Sequence, residues 1–183
     1  VAFNEQVLLG RVGELKPGCI ILLESMWRDH PDVAIAAAYR ETFDRLVRDG
    51  YEVREIPMER ECRILVSDPR RGKNMFALGM LCNLYSLDLQ LAREQVAFTF
   101  GKKDAEVVQA NVALLEAGYQ WAQANLDFQY RIPATPASQA QIVVNGNTAL
   151  ALGGIAAGMD AGAMNPVTTA TSLNATTGER PLM

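Results

Sequence analysis

The sequence predicts an α/β fold, in which a mostly parallel sheet carries helices on both faces. Short apolar runs alternate with helical segments, which is the order found in parallel α/β proteins. The clearest run, Cys19–Leu23, is apolar at every position, as is typical of a strand buried on both sides. Apolar residues make up 49% of the chain and charged residues 21%, an ordinary composition for a folded protein.

The first elements follow from local signals. Val1–Phe3 is expected to be the end of a buried strand, and we expect further sequence to precede it. Asn4 has the chemistry of a helix cap, so it is expected to open a helical segment over Asn4–Val12. The turn Lys16–Gly18 then leads into the strand Cys19–Leu23.

Local sequence signals predict both the beginning and the end of the next helix. Asp32 is expected to cap a helix over Val33–Arg48, whose apolar residues recur at helical spacing. Asp49-Gly50 supplies the residues that end a helix. Tyr51–Ile56 alternates in polarity and predicts a second strand, stopped by Pro57.

The stretch Arg60–Arg71 is crowded with arginines. Ile64–Val66 within it has the composition of a strand, and the arginines favour a solvated surface loop. Contact with a phosphate or a cofactor is the alternative, although nothing in the spacing selects it. Strand alternation would place the carboxylates of Glu59 and Glu61 on one exposed face.

The chain then becomes helical, and a linker follows. Helices are predicted over Asn74–Tyr85, Leu87–Phe98 and Asp104–Ala124, with Trp121 expected to pack in the core. Prolines and small polar residues predict a linker over 125–141. The chain is thus divided into a first domain over 1–124, the linker, and the start of a second domain over 142–183.

The second domain is expected to open with a βαβ unit. Ile142–Val144 predicts a short strand and Asn145–Asn147 a turn. A helix of small residues follows over Thr148–Met159, and Ala161–Met164 predicts another strand.

Composition and motifs exclude several function classes. The net charge of −4, with basic and acidic residues mixed along the chain, provides no basic surface for nucleic acid or an anionic membrane. No apolar run is long enough to cross a membrane. The three cysteines are expected to be buried free thiols in a reducing cytoplasm, too few for an iron–sulfur cluster. The single histidine, His30, is expected to lie in a loop. The sequence has no dinucleotide-binding, phosphate-loop or nucleophile-elbow motif.

Several stretches resemble the gamma domain of the 2-oxoacid:ferredoxin (acceptor) oxidoreductases. Two come from its strand–helix–strand portion and the others from its helical half. They are Val1-Ala2-Phe3-Asn4, Leu15-Lys16-Pro17-Gly18-Cys19-Ile20-Ile21, Lys73-Asn74-Met75-Phe76-Ala77-Leu78-Gly79, Phe100-Gly101-Lys102-Lys103, Asn111 and Gly118-Tyr119.

Two stretches after the linker resemble the opening of the alpha subunit of the same family, in the arrangement that fuses gamma ahead of alpha. The first is an alpha-opening turn formed by Gly146, Asn147 and Thr148, followed by Ala149. The second resembles a substrate-binding loop whose sequence in the family is Tyr-Pro-Ile-Thr-Pro. It is formed here by Asn165, Pro166, Val167, Thr168 and Thr169.

The resemblance implies a reaction and its cofactors. The family decarboxylates a 2-oxoacid such as 2-oxoglutarate or pyruvate on thiamine diphosphate, forms acyl-CoA and passes electrons through iron–sulfur clusters to ferredoxin. It places thiamine diphosphate, Mg²⁺ and the clusters mainly on a beta subunit, with coenzyme A as co-substrate. It therefore implies a heteromer, or a dimer of fused chains, and assigns none of these cofactors to this chain alone.

Within the loop, the resemblance implies that the Thr168 hydroxyl binds substrate and that Pro166 holds the loop's shape. Two positions depart from the family's pattern, since Asn165 replaces the tyrosine and Thr169 the second proline. The Glu-Ser pair that often follows falls on Leu173-Asn174. These departures favour an alternative, a non-catalytic assembly or binding module, whereas the alpha-opening turn favours an enzyme component.

Overall fold

The computed structural model describes residues 1–101, 103–132 and 144–158, which fall into two compact units, Val1–Pro133 and Ala134–Met183. The first unit contains two strands and six α-helices among its described residues. In chain order these are α1 (Glu5–Leu9), β1 (Ile20–Glu24), α2 (Val33–Arg48), β2 (Glu52–Ile56), α3 (Met58–Leu65), α4 (Lys73–Leu84), α5 (Leu89–Phe100) and α6 (Ala105–Asn125). The second unit contains α7 (Gly146–Ala156).

The sheet of the first unit is parallel, as predicted. β1 pairs with β2 in a register that places Ile20 opposite Glu52. On the other side of β1, Ala2 forms a single parallel bridge to Leu23, so this segment lies beside the sheet. The prediction that Val1–Phe3 ends a buried strand is wrong in its burial, since Val1 and Phe3 are exposed. The described sheet has two strands, and β1 is flanked by β2 on one side and by the Ala2 bridge on the other.

Helices cover both faces of this sheet because β1 sends alternate side chains to opposite sides. Ile21 and Leu23 pack in a cluster with Tyr39 of α2. Leu22 packs in a second cluster with residues of α3, α4 and α6, among them Met80. The continuous apolar run therefore reflects burial on both faces, and the predicted fold class is confirmed.

The predicted caps of the first helices are confirmed. The Asn4 side chain accepts hydrogen bonds from the backbone N–H groups of Gln6 and Val7 at the start of α1. The Asp32 carboxylate accepts one from Ala34 N at 2.8 Å, and α2 has the predicted bounds. In both cases a short side chain satisfies donors that the first turn of a helix leaves free.

The prediction of a strand-like, solvated loop after β2 is wrong. Residues 58–65 form α3, with Met58, Glu59 and Cys62 buried on one side. Glu59 and Glu61 therefore do not share an exposed face, since Glu59 lies under the helix and Glu61 is half-buried. The buried face of α3 includes the charged residue Glu59. The spacing of apolar residues alone therefore does not predict a helix here.

The most extensive packing between helices of the first unit joins α4 and α6, whose backbones approach closely at two glycines. A Cβ atom on Gly79 would lie 2.8 Å from the Tyr119 nitrogen, and one on Gly118 would lie 2.7 Å from the carbonyl carbon of Phe76. Only glycine leaves room for such an approach. Trp121 packs against Phe76 with 6.4 Å between ring centroids, which confirms its predicted place in the core.

The end of α4 places a serine in a left-handed conformation. Ser86 has φ = 52°, and the Leu87 N–H bonds the Cys82 carbonyl at 2.8 Å across the end of the helix. This hydrogen bond is the one that closes a Schellman motif, whose left-handed position favours glycine. The Ser86 hydroxyl also donates to the Tyr130 carbonyl at 3.2 Å.

Ser86→Gly is expected to be more stable than Ser86→Ala by about 1 kcal/mol, because the left-handed conformation strains any residue that has a Cβ atom. Both substitutions remove the same hydroxyl, so their difference isolates the backbone effect. Urea unfolding of the two purified variants measures it. Equal unfolding midpoints would show that Ser86 is not strained.

The chain after α6 stays in contact with the first unit over its described part. Leu126 and Phe128 pack against the cluster of α3, α4 and α6. The Tyr130 N–H donates to the Leu84 carbonyl at 2.6 Å. This half of the predicted linker region therefore lies along the first domain.

In the second unit, α7 begins at Gly146, two residues before the predicted start. The predicted turn residues Gly146, Asn147 and Thr148 therefore form the first turn of a helix, and their description as a turn is wrong. The physical reason is a cap, since the Asn145 side chain accepts a hydrogen bond from Thr148 N at 2.8 Å. Val144 forms no described strand, and 142–143 lie outside the described residues.

Candidate functional site

The carboxyl ends of the two parallel strands meet at one edge of the sheet. Glu24 is the last residue of β1, and its register partner Ile56 is the last residue of β2. A loop over 25–32 follows β1, and Pro57 leads from β2 into α3. In open α/β sheets this edge is where ligands bind, so its charged residues are the first candidates for a site.

Glu24 is completely buried and accepts two backbone hydrogen bonds. Its Oε1 accepts from Met26 N at 3.1 Å, and its Oε2 accepts from Glu59 N at 3.0 Å. Pro57, at the cap position of α3, supplies no side-chain hydrogen bond. Glu24 therefore satisfies a free donor of α3 from a neighbouring strand, while burial raises the pKa of its carboxyl.

Lys73, at the start of α4, lies between two carboxylates. Its Nζ is 3.2 Å from Glu59 Oε2, 3.7 Å from Glu24 Oε2 and 3.3 Å from the sulfur of Met26. Arg63 binds the other oxygen of Glu59 at 2.6 Å. Burial acts to raise the pKa of Glu59, but the hydrogen bonds from Arg63 and Lys73 outweigh it and lower that pKa.

We name Glu24, Glu59, Lys73 and Arg63 the buried ion cluster. The first three are at most 13% exposed, and Arg63, which is 67% exposed, reaches Glu59 from the surface. The two carboxylates of the cluster are matched by two cations, and it joins the end of β1 to the beginnings of α3 and α4. Cys62 lies close enough to feel the charges of this cluster. Burial raises the pKa of its thiol to about 11, so the thiol stays protonated and unreactive at neutral pH. This arrangement is suited to holding three elements together rather than to nucleophilic chemistry.

A second set of polar side chains holds the loop after β1 in place. Glu55 accepts a hydrogen bond from the Tyr39 hydroxyl at 2.8 Å and forms an ion pair with Arg28 at 2.7 Å. Burial, followed by the bond to Glu55, raises the pKa of Tyr39, which keeps its phenol protonated as a donor. His30 lies in this loop, as predicted, and its ring stacks on Trp27.

The predicted substrate loop lies outside the described residues. The structure therefore neither brings Asn165, Pro166, Val167, Thr168 and Thr169 together nor separates them. The alpha-opening residues are described, as the first turn of α7. The roles assigned to both sets remain predictions.

Sequence reasoning missed the buried ion cluster. Glu24 was the one residue with a local signal, since a carboxylate directly follows four apolar residues at the end of a buried strand. A charged side chain at that place must be paired. Nothing local identified Lys73 as its partner, because the two residues meet only after α3 has packed against the sheet.

The described part of the chain contains no metal-ligand set. No group of three or more His, Cys, Asp or Glu side chains in residues 1–101, 103–132 and 144–158 is arranged to hold a metal ion. Nor does any helix among these residues combine the length and apolar character needed to cross a membrane. Cys62 and Cys82 are buried free thiols and Cys19 is half-buried.

The sequence of the first unit matches a known family model. Residues 1–121, more than half of the chain, match the model described as pyruvate ferredoxin/flavodoxin oxidoreductase. The matched range extends from the residues beside β1 into α6, and thus includes the buried ion cluster and the glycine contacts of α4 and α6.

Two curated relatives are oxidoreductase subunits. The 2-oxoglutarate oxidoreductase subunit KorA of Mycobacterium tuberculosis is 39% identical over 100 residues, covering 52% of this chain and 15% of that protein. The ketoisovalerate oxidoreductase subunit VorA of Methanothermobacter marburgensis is 29% identical over 132 residues, covering 71% of this chain and 24% of that protein. The chain thus spans a minor part of either relative's length.

A solved structure gives a likeness over nearly the whole chain. The 2-oxoglutarate:ferredoxin oxidoreductase from Magnetococcus marinus, with 2-oxoglutarate, coenzyme A and succinyl-CoA bound, aligns with a TM-score of 0.71 and 26% identity. The alignment covers 96% of this chain and 28% of that one. Sequence match and fold agree, and the chain belongs to the pyruvate ferredoxin/flavodoxin oxidoreductase family.

Proposed function

We propose that this chain forms part of a 2-oxoacid:ferredoxin oxidoreductase that converts a 2-oxoacid, either 2-oxoglutarate or pyruvate, and coenzyme A to acyl-CoA and CO₂. The electrons released pass through iron–sulfur clusters to ferredoxin. The observation that carries the proposal is the likeness to the Magnetococcus enzyme, which covers 96% of the chain and which was solved with 2-oxoglutarate and coenzyme A bound.

The two parts of the chain have different roles in this proposal. Residues 1–124 form the gamma-type domain, 125–141 the linker, and 142–183 the start of the alpha-type catalytic domain. Thiamine diphosphate supplies the carbanion stabilisation that decarboxylation requires. In keeping with the family resemblance, we assign the cofactor, its metal and the clusters to a beta-type partner subunit. The assembly is proposed to be a cytoplasmic heteromer.

The residue assigned to substrate is Thr168. A hydroxyl both donates and accepts hydrogen bonds, so it suits the oxygen atoms of a small oxoacid. Pro166 restricts the backbone beside it, which favours one loop conformation. Asn165, Val167 and Thr169 complete the proposed substrate loop, and Gly146, Asn147 and Thr148 open the domain that presents it.

Thr168→Ala is expected to lower the rate of 2-oxoacid- and CoA-dependent reduction of a viologen dye by a factor of about 10 or more. The reason is that losing a hydrogen bond made in the transition state costs at least that much in rate. The assay uses the full-length gene product coexpressed with its partner subunit and compares kcat/KM for 2-oxoglutarate and pyruvate.

Thr176→Ala is the matched control, since the family resemblance assigns no role to that threonine. An equal loss in both variants would point to a general disturbance of this region. Full activity in Thr168→Ala would contradict the assignment of substrate binding to Thr168, while leaving the reaction itself in place.

The alternative is a non-catalytic assembly or binding module of such a complex. It is favoured by the replacement of the family's loop tyrosine by Asn165 and of its second proline by Thr169. A folded complex without activity on any 2-oxoacid would support this alternative.

A further inference from the structure

The chain that follows α6 lies against the first unit over residues 126–130, which we name the strap. α6 ends at Asn125, and Leu126 is in an extended conformation. Leu126 and Phe128 pack against the core cluster of α3, α4 and α6, while residues 127, 129 and 130 are exposed. An extended segment turns successive side chains to opposite sides, so the strap covers part of a core with one side and faces outward with the other.

The strap also closes the end of α4. The Tyr130 N–H donates to the Leu84 carbonyl at 2.6 Å, and the Ser86 hydroxyl donates to the Tyr130 carbonyl at 3.2 Å. Leu84 is the last residue of α4, where a helix leaves carbonyl groups without a partner of its own. The side-chain amide of Gln129 donates to the side chain of the buried Asn83 at 3.3 Å. Both backbone groups of Tyr130 are thus bonded to the end of one helix.

Aromatic and charged side chains attach the strap at further places. The Tyr130 ring centroid lies 5.9 Å from that of Tyr85 and 6.0 Å from that of Phe128. Arg54 of β2 lies over the Phe128 ring at 5.9 Å, and its guanidinium is 3.3 Å from the Asp127 carboxylate. Each exposed contact of this kind contributes little by itself. Together they join the strap to a strand, to a helix end and to the core of the first unit.

The described attachments of the chain end at Tyr130. Arg131 and Ile132 are exposed, and within residues 1–101, 103–132 and 144–158 neither forms a hydrogen bond, an ion pair or a ring contact. The first compact unit ends at Pro133. The linker predicted over 125–141 is therefore held by the first unit in its first part, up to Tyr130.

We propose that the strap is a positioning element, which fixes the place from which the chain leaves the first unit toward the second domain. A linker that began at Asn125 would leave from the end of α6, whereas the strap moves the point of departure to the end of α4. Fixing that point restricts the arrangements available to the two domains, which raises the fraction of molecules that are competent for the reaction. The effect on catalysis rests on the proposed function, whereas the strap itself does not.

The test is the double variant Phe128→Ala with Tyr130→Ala, made in the full-length gene product. It removes the two rings that attach the strap to the core, to Tyr85 and to Arg54. Cleavage by trypsin after Arg131 is expected to become at least about tenfold faster, because proteolysis follows the population of the open segment. The fragment that ends at Arg131 is identified by its mass. In the viologen assay with the partner subunit, kcat is expected to fall at least about threefold.

Leu91→Ala with Phe98→Ala is the matched control, since it truncates two exposed apolar side chains of α5 outside the strap. Circular dichroism and thermal unfolding check that the first unit is folded in both variants. If the test variant does not fold, Asp127→Ala with Gln129→Ala takes its place. This pair removes the polar attachments of the strap at exposed positions and leaves both rings, with faster cleavage again expected.

The two measurements separate the strap from the reaction. Equal cleavage rates after Arg131 in the folded test and control variants would overturn the strap. Faster cleavage with an unchanged kcat would overturn its role in positioning. If the unmodified complex is inactive on every 2-oxoacid, the proposed function fails and the catalytic part of the inference with it, while the cleavage rates still decide whether the strap holds the chain.

Discussion

Gly118→Ala is expected to destabilise the first unit by about 3 kcal/mol or more, the upper range for overpacking a close contact. The added methyl group would lie 2.7 Å from the carbonyl carbon of Phe76 and closer still to its oxygen. These are backbone atoms of α4, so no side-chain rotation relieves the clash. The helices must separate, which opens the cluster that contains Leu114 and Met80.

Urea unfolding of the purified protein, followed by circular dichroism at 222 nm as the usual measure of helix, gives the size of the effect. Gly79→Ala is expected to behave alike, because its Cβ atom would meet the backbone of Leu115 and Tyr119. Gly13→Ala is the control, since a Cβ atom there has no neighbour within 4 Å. A wild-type midpoint in Gly118→Ala would show that α4 and α6 do not approach as closely as described.

Lys73→Met is expected to destabilise the protein by about 3 kcal/mol, because removing one partner of a buried ion pair leaves an uncompensated charge. The carboxylate of Glu24 is fully buried, and the Lys73 ammonium lies 3.7 Å from Glu24 and 3.2 Å from Glu59. Methionine keeps most of the side-chain volume, so the loss reports on charge. Lys103→Met, at an exposed position, is the control.

The effect of Lys73→Met is expected to depend on pH. Burial raises the pKa of Glu24 above 4.5 in the folded state, and Lys73 acts to lower it. Without the lysine the folded protein favours protonated Glu24 more strongly, so the part of the penalty that comes from Glu24 is full above its folded pKa and is lost below 4.5. The part that comes from Glu59 is lost only as the pH falls through the lowered folded pKa of that residue. Unfolding in urea is therefore measured at neutral and at acidic pH. A penalty that does not shrink in acid would contradict the role given to Glu24.

Glu24→Gln added to Lys73→Met tests the same pair by a second route. Glutamine removes the charge, and its single amide oxygen keeps one of the two hydrogen bonds that the carboxylate accepts from Met26 N and Glu59 N. The double variant is therefore expected to be more stable than Lys73→Met alone. A simple sum of two losses would show that the two side chains act independently.

The close contact of α4 with α6 and the ion pairs of Lys73 change the interpretation of residues that resemble the family's gamma domain. Gly79, Gly118 and Lys73 belong to the stretches on which that resemblance rests. The structure explains each of them by packing or by charge pairing within the unit, without a bound ligand. A resemblance carried by such residues identifies the fold of the unit, and the chemistry of the complex must be tested at other positions.

The sequence alone determined the elements whose signals are local. The bounds of α2 were predicted as Val33–Arg48 because Asp32 caps it, its apolar residues repeat at helical spacing, and Asp49-Gly50 ends it. The burial of β1 on both faces followed from an uninterrupted apolar run. The α/β class and the family resemblance rest on signals of this kind, in which each residue's neighbours in sequence are sufficient.

Only the tertiary structure decided α3 and the site beside it. The N–H group of Glu59 is bonded by a carboxylate 35 residues earlier in the chain, and its own carboxylate is balanced by Lys73, 14 residues later. A helix whose buried face contains a charge is stable only when those partners are in place, because an unpaired buried carboxylate is costly. These partners come from segments that are distant in the sequence, so residues 58–65 alone do not predict the helix.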